Sequence, residues 1–75
     1  MRYQTQLPTI GLVPRDNHQA AITIPSGKIL DVVGRAQDER FVIAEVDGQR
    51  LLVFETDLNS RCIAQTGRNA QTAGL

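Results

Sequence analysis

The sequence predicts an all-β domain, and three observations support that prediction. Short apolar runs recur along the chain, and turn-forming residues separate them at spacings of about 8–12 residues. Long segments with apolar residues at helical spacing are missing. The dipeptide Asp47-Gly48 lies between two apolar runs, which is the strongest short-range signal for a β-hairpin. We therefore expect five or six short strands arranged as a small barrel, with one short helical turn.

Length and charge limit the classes of protein to consider. The chain has 75 residues, 41% hydrophobic and 21% charged, with a formal net charge of zero. This is enough for one small domain, which we assign to residues 1–65, followed by a flexible C-terminal tail at 66–75. A balanced charge disfavours a strongly basic nucleic-acid binder. Apolar runs also fall short of the roughly 18 residues that a membrane span needs.

The strand signals can be followed in chain order. Pro8 interrupts the first apolar region, and residues 15–18 and 25–28 have the composition of turns. The last apolar run follows a predicted helical turn at 56–59, which Thr56 caps and whose Leu58 packs beneath the sheet. The predicted strands are a first region over 2–13 that Pro8 interrupts, followed by 20–24, 29–33, 40–46, 49–55 and 60–65.

A two-residue turn at Asp47-Gly48 fixes the register of the central hairpin. It places Phe41 opposite Phe54 and pairs opposite charges at Glu45–Arg50 and Arg40–Glu55. Cross-strand pairs of these kinds contribute about 0.2–1 kcal/mol each. A shift by one residue would lose all three pairs, so we expect this register.

A set of motifs between residues 24 and 58 resembles a known fold. A Pro-x-Gly turn at 25–27 is followed by an apolar strand that closes at Gly34, then by the hairpin, then by Thr56-Asp57-Leu58. This order resembles bacterial Src-homology-3-like barrels, and the whole chain resembles small uncharacterised bacterial proteins of similar length. The resemblance covers about half of the chain and implies the barrel fold. The chain has no Trp, and Tyr3 lies outside the matched region, so binding of proline-rich peptides is not expected.

The hairpin register produces two apolar faces, where a strand on the surface of a monomer normally has one. We expect one face to be the core, with Ala44 and Val53 at core positions by the resemblance. Its members are Val42, Ala44, Val46, Leu51 and Val53. The opposite face is the candidate interaction patch, formed by Phe41, Ile43, Leu52 and Phe54. Either a second copy of the chain covers this patch, or the segment 10–13 folds over it.

Residues with catalytic or metal-binding potential are sparse, so we expect no enzyme, no metal and no cofactor. His18 is the only histidine and belongs to a turn, where we expect a plain surface residue. Cys62 is the only cysteine, and its place in a predicted strand favours a small buried hydrophobe. One His and one Cys do not make a closed zinc site.

The sequence favours a non-enzymatic interaction or assembly module, with a second copy or another protein as its partner. The alternative is a barrel that binds RNA or single-stranded DNA, in which Phe41 and Phe54 stack on bases beside Arg35, Arg40 and Arg50. An enzyme with a site between subunits is a third possibility. The lone cysteine and the missing secretory signal predict a cytoplasmic protein.

Overall fold

The structure, a computed structural model, describes residues 1–16 and 18–65. These residues form one antiparallel sheet of seven strands and a single short helix, which confirms the all-β prediction. The elements are β1 (Arg2–Thr5), β2 (Thr9–Arg15), β3 (His18–Ile24), β4 (Ile29–Arg35), β5 (Phe41–Val46), β6 (Gln49–Phe54), α1 (Glu55–Arg61) and β7 (Cys62–Ala64). The predicted tail at 66–75 lies outside the described residues.

The prediction of five or six strands was wrong, because the chain on either side of Pro8 forms two independent strands. Before the proline, β1 pairs with β4 and β7, whereas β2 pairs with β3 and β6. The strand order across the sheet is β3-β2-β6-β5-β4-β1-β7. Thr9 Oγ1 lies 4.0 Å from Cys62 Sγ. Two strands that are distant in the sheet order, β2 and β7, therefore approach each other through their first residues.

The hydrophobic core lies on one face of the sheet. Ala44 and Val53 are completely buried, and Leu58 of α1 covers the core at 4% exposure, all as predicted. Gly11 allows β2 to approach closely, because a Cβ atom at this position would lie 3.2 Å from side-chain atoms of Ile24 and Leu51. The buried core cluster consists of Val13, Ile24, Leu30, Val42, Ala44, Val46, Leu51, Val53, Leu58 and Cys62.

The register of the central hairpin is confirmed for β5 and β6. Phe41 lies opposite Phe54, Glu45 opposite Arg50, and Val46 opposite Gln49. The two turn residues adopt positive φ angles, 52° at Asp47 and 79° at Gly48. This backbone conformation is the one that a two-residue hairpin turn of the mirror-image type requires, and glycine adopts it without strain.

The end of the hairpin differs from the prediction. The helix begins at Glu55 rather than at Thr56, and Phe54 takes the cap position without a side-chain hydrogen bond. Thr56 lies inside the first turn, where its carbonyl accepts a hydrogen bond from the Ser60 hydroxyl. The helix continues to Arg61, beyond the predicted end at residue 59. The last strand therefore has three residues instead of the predicted six. Within the described ranges, α1 is the only helix, and it is too short to cross a membrane.

Candidate interaction surface

The four residues of the predicted patch come together on the face of the sheet opposite the core. Phe41 pairs with Phe54 and Ile43 with Leu52 across β5 and β6. The two phenyl rings are tilted by 36°, with their centroids 4.5 Å apart. Phe41 is only 8% exposed, and the other three side chains are half-buried. We call these four residues the outer apolar face.

The segment 10–13 lies beside this face and does not fold over it. Gly11 pairs with Val53 and Leu12 with Leu52, so β2 continues the sheet next to β6. Val13 points into the core at 7% exposure, while Ile10 is 42% exposed. Residues paired across an antiparallel ladder share a face, and Leu12 therefore extends the outer apolar face by one half-buried side chain. Sequence reasoning missed Leu12, although its alternation with Val13 was a usable signal.

A groove borders the outer apolar face on the side of the loop between β4 and β5. Its volume is about 520 Å³. The apolar part of its lining is Phe41, Ile43, Leu52 and Ala36, and the polar part is Gln19, Gln37, Asp38 and Arg40. A second hollow of about 450 Å³ adjoins Phe54 and is also lined by Arg40. Two open hollows with partly polar linings therefore adjoin the apolar side chains.

Ion pairs lie at both ends of the outer apolar face. At the turn end, Arg50 Nη2 lies 2.7 Å from Glu45 Oε2, as the register predicted. At the other end, Arg40 Nη2 lies 2.6 Å from Asp38 Oδ2, and the Arg40 guanidinium carbon is 5.6 Å from the centroid of the Phe41 ring. These pairs place fixed charges of both signs at the two ends of an apolar centre.

The predicted Arg40–Glu55 pair was wrong. Glu55 belongs to α1 instead of β6, and its carboxylate accepts a hydrogen bond from Arg35 Nη2 at 2.8 Å. Its backbone amide donates to the Arg40 carbonyl at 2.8 Å, so the two residues are neighbours through their main chains. Arg40 turns back to Asp38, two residues away, because both the backbone amide and the guanidinium of Arg40 reach that carboxylate.

Asp38 provides a test of this local geometry. The hydrogen bonds from the Arg40 side chain and backbone lower its pKa from 3.8 to about 2. Because the folded-state pKa is depressed, any stabilisation from this pair is present above the unfolded value and is lost as pH falls through about 2. Carboxyl titration by NMR is expected to give about 2 in the wild type and a higher value in Arg40→Ala. An Asp38 pKa near 3.8 in the wild type would contradict the contact.

The sequence predicted His18 as a plain surface residue and Cys62 as a small buried hydrophobe. His18 is exposed at the beginning of β3, and Cys62 is buried at the beginning of β7. Burial raises the pKa of the Cys62 thiol, which favours the unreactive protonated form. The residues in ranges 1–16 and 18–65 contain no group of three or more His, Cys, Asp and Glu placed to hold a metal ion.

Comparison of the chain with protein-family models, curated proteins and solved structures finds no match.

Proposed function

We propose that the chain is a small Src-homology-3-like barrel that acts as a non-enzymatic assembly module, with a second copy of itself as partner. The barrel is supported by the order of the elements: β4, which contains Gly34, is followed by the β5–β6 hairpin, the short helix α1 and the last strand β7. The approach of Thr9 to Cys62 also supports it, because strands at distant positions in the sheet order come close there. The outer apolar face is the observation that carries the functional proposal.

The outer apolar face leaves part of its apolar side-chain area in contact with water. Full burial of one large apolar side chain is worth about 1.5–3 kcal/mol relative to exposure. Ile43, Leu52, Phe54 and Leu12 are each half-buried, so part of that free energy remains available to a partner. A twofold axis doubles the contribution, since the same residues are used on both copies. The aromatic pair Phe41–Phe54 supplies a type of side chain that is enriched in protein interfaces.

The charges around the face favour a second copy over a nucleic acid. Arg40 is paired with Asp38, Arg50 with Glu45, and Arg35 with Glu55. The three arginines considered for nucleic-acid binding therefore all have acidic neighbours. A nucleic-acid site depends on uncompensated positive charge. An isologous interface can instead place the acidic member of one pair near the basic member of another. We therefore expect no salt-dependent affinity for oligonucleotides.

Molar mass in solution tests the proposal. The wild type is expected to have a mass that is a multiple of the 8.2 kDa of one chain. Phe54→Asp places a charge within the face and is expected to lower that mass by about half, since each twofold contact joins two equal units. Leu7→Asp is the matched control, because Leu7 is 51% exposed and lies outside the face.

Folding must be separated from assembly in this experiment. Phe54 contacts the buried Phe41, so Phe54→Asp is compared with Ile43→Thr, which keeps a β-branched side chain and removes apolar area. Both variants are expected to keep the wild-type circular dichroism spectrum and to associate more weakly. A folded variant of either kind with the full wild-type mass would refute the proposal.

A further inference from the structure

We infer that the edge of β3, which no other strand of the described residues covers, is a second self-association site, at which two copies of the chain pair as antiparallel strands about a twofold axis. This contact uses backbone groups of one strand, and it goes beyond the proposed role of the outer apolar face. The two contacts involve different residues, so each can form without the other.

The sheet has two edges, and only one of them is long. β7 is three residues long, whereas β3 has seven. Natural sheets protect long edges with Lys, other charged residues or Pro. The β3 sequence from His18 to Ile24 contains no Lys, Arg, Asp, Glu or Pro, and it includes two isoleucines and a threonine. This edge therefore lacks the usual devices that prevent strand pairing.

Pro14 determines which backbone groups face the open side of β3. Pro14 lies opposite Gln19 in the β2–β3 ladder. A proline has no N–H group, so this pair cannot be one of those that exchange two hydrogen bonds. Hydrogen-bonded and non-hydrogen-bonded pairs alternate along an antiparallel ladder. The N–H and C=O groups of Gln19, Ala21 and Thr23 therefore point away from β2, toward the side where the described chain places no further strand.

The strand is complementary to itself when two copies pair about Ala21. In this register Ala21 lies opposite the same residue of the partner, Gln19 opposite Thr23, Ala20 opposite Ile22, and His18 opposite Ile24. Each outward-facing residue donates one backbone hydrogen bond and accepts one. Small side chains meet at the axis, polar side chains meet on the outer face, and no pair of like charges faces across it.

The pairing also has a structural consequence for the outer apolar face. Ala21 lies opposite Leu12 in the β2–β3 ladder, and Leu12 lies opposite Leu52. Joining two β3 strands would therefore make one continuous sheet in which the outer faces of both copies lie side by side. Two such sheets could then pack through their outer apolar faces, which is the arrangement of a tetramer with three twofold axes.

Ala21→Pro is the variant that tests the edge. Proline is tolerated on an edge strand when its missing N–H faces away from the sheet, so the β2–β3 ladder is expected to remain. The variant removes two backbone hydrogen bonds at the twofold axis. The association constant of the edge contact is expected to fall by about tenfold to a hundredfold. Ala21→Thr is the matched control, because it keeps the backbone N–H and is expected to associate like the wild type.

Amide hydrogen exchange provides the second measurement. The separated chain is expected to protect Ala20, Ile22 and Ile24, which face β2, and to leave Gln19, Ala21 and Thr23 unprotected. Protection of these three outward amides is expected to appear as protein concentration rises. The concentration-dependent protection is expected to remain in Phe54→Asp. In Ala21→Pro it is expected to be lost at the amides of Gln19 and Thr23.

The outcomes separate this inference from the proposed function. If Ala21→Pro keeps the wild-type mass and Phe54→Asp lowers it, the edge contact is refuted and the outer apolar face stands. If Ala21→Pro lowers the mass and loses protection of the outward amides, while Phe54→Asp keeps the wild-type mass, the edge contact stands and the outer apolar face is refuted. A wild type that remains a single chain with unprotected outward amides at every concentration refutes both. Outward amides that become protected only when an extended peptide is added also refute pairing of the edge with a second copy.

Discussion

Replacing Leu51 with alanine is expected to lower the free energy of unfolding by about 2–5 kcal/mol. Leu51 is 1% exposed and lies in the core cluster. Its side chain fills the space next to Gly11, where a Cβ atom would lie 3.2 Å away. The change removes apolar contacts and leaves a cavity, and both effects are unfavourable. A domain of this size has a total stability of roughly 3–10 kcal/mol. The variant is therefore expected to lose a large share of its stability, measured by urea unfolding followed by circular dichroism.

Leu52→Ala is the matched comparison for this prediction. The two leucines are neighbours in β6, but Leu52 points to the outer apolar face and is half-buried. Its truncation leaves no enclosed cavity, so the loss of stability is expected to be clearly smaller than for Leu51→Ala when both are measured at a concentration where the chains are separate. Equal losses at the two positions would mean that the assignment of core and outer face is wrong.

Replacing Thr5 with valine is expected to cost about 1–3 kcal/mol, although the two side chains are nearly equal in size. Thr5 is 1% exposed. Its hydroxyl donates to the Pro25 carbonyl at 2.7 Å and accepts a hydrogen bond from the Lys28 backbone amide at 2.9 Å. Valine leaves both backbone groups without this partner, and a buried unsatisfied polar group loses its hydration without compensation.

Thr5→Ser separates the hydroxyl from the methyl group of the same side chain. Serine keeps the hydrogen-bonding oxygen and loses one methyl, so it is expected to retain more stability than Thr5→Val in urea unfolding. The structural reason is that Thr5 ties β1 to the turn between β3 and β4. A valine variant as stable as the wild type would show that these two hydrogen bonds contribute nothing to folding.

The central hairpin was predictable because its determinants are local. Asp47-Gly48 defines a two-residue turn, and a turn of fixed length sets every pair along β5 and β6. The division into two faces follows directly, since side chains alternate along a strand. The grouping of the four outer residues required nothing beyond this register and the alternation. The resemblance indicated that Ala44 and Val53 lie on the core face, and the predicted helical turn indicated the burial of Leu58.

Other features depend on contacts between segments that are distant in sequence. The position of β2 beside β6 joins Leu12 to Leu52, forty residues later, and no local signal specifies that neighbour. The partner of Arg40 changed for a related reason. Helix α1 begins at Glu55 and removes that residue from the strand, so its carboxylate meets Arg35 instead. The edge position of β3 likewise appears only once the strand order is known.

Sedimentation equilibrium of the wild-type chain, over a wide range of concentrations, tests self-association most directly. The outer apolar face and the β3 edge both predict a mass that rises with concentration from 8.2 kDa toward a whole multiple of that value. The rise should be weaker for Phe54→Asp and for Ala21→Pro. A wild type that sediments as one chain of 8.2 kDa at every concentration would contradict self-association through either surface.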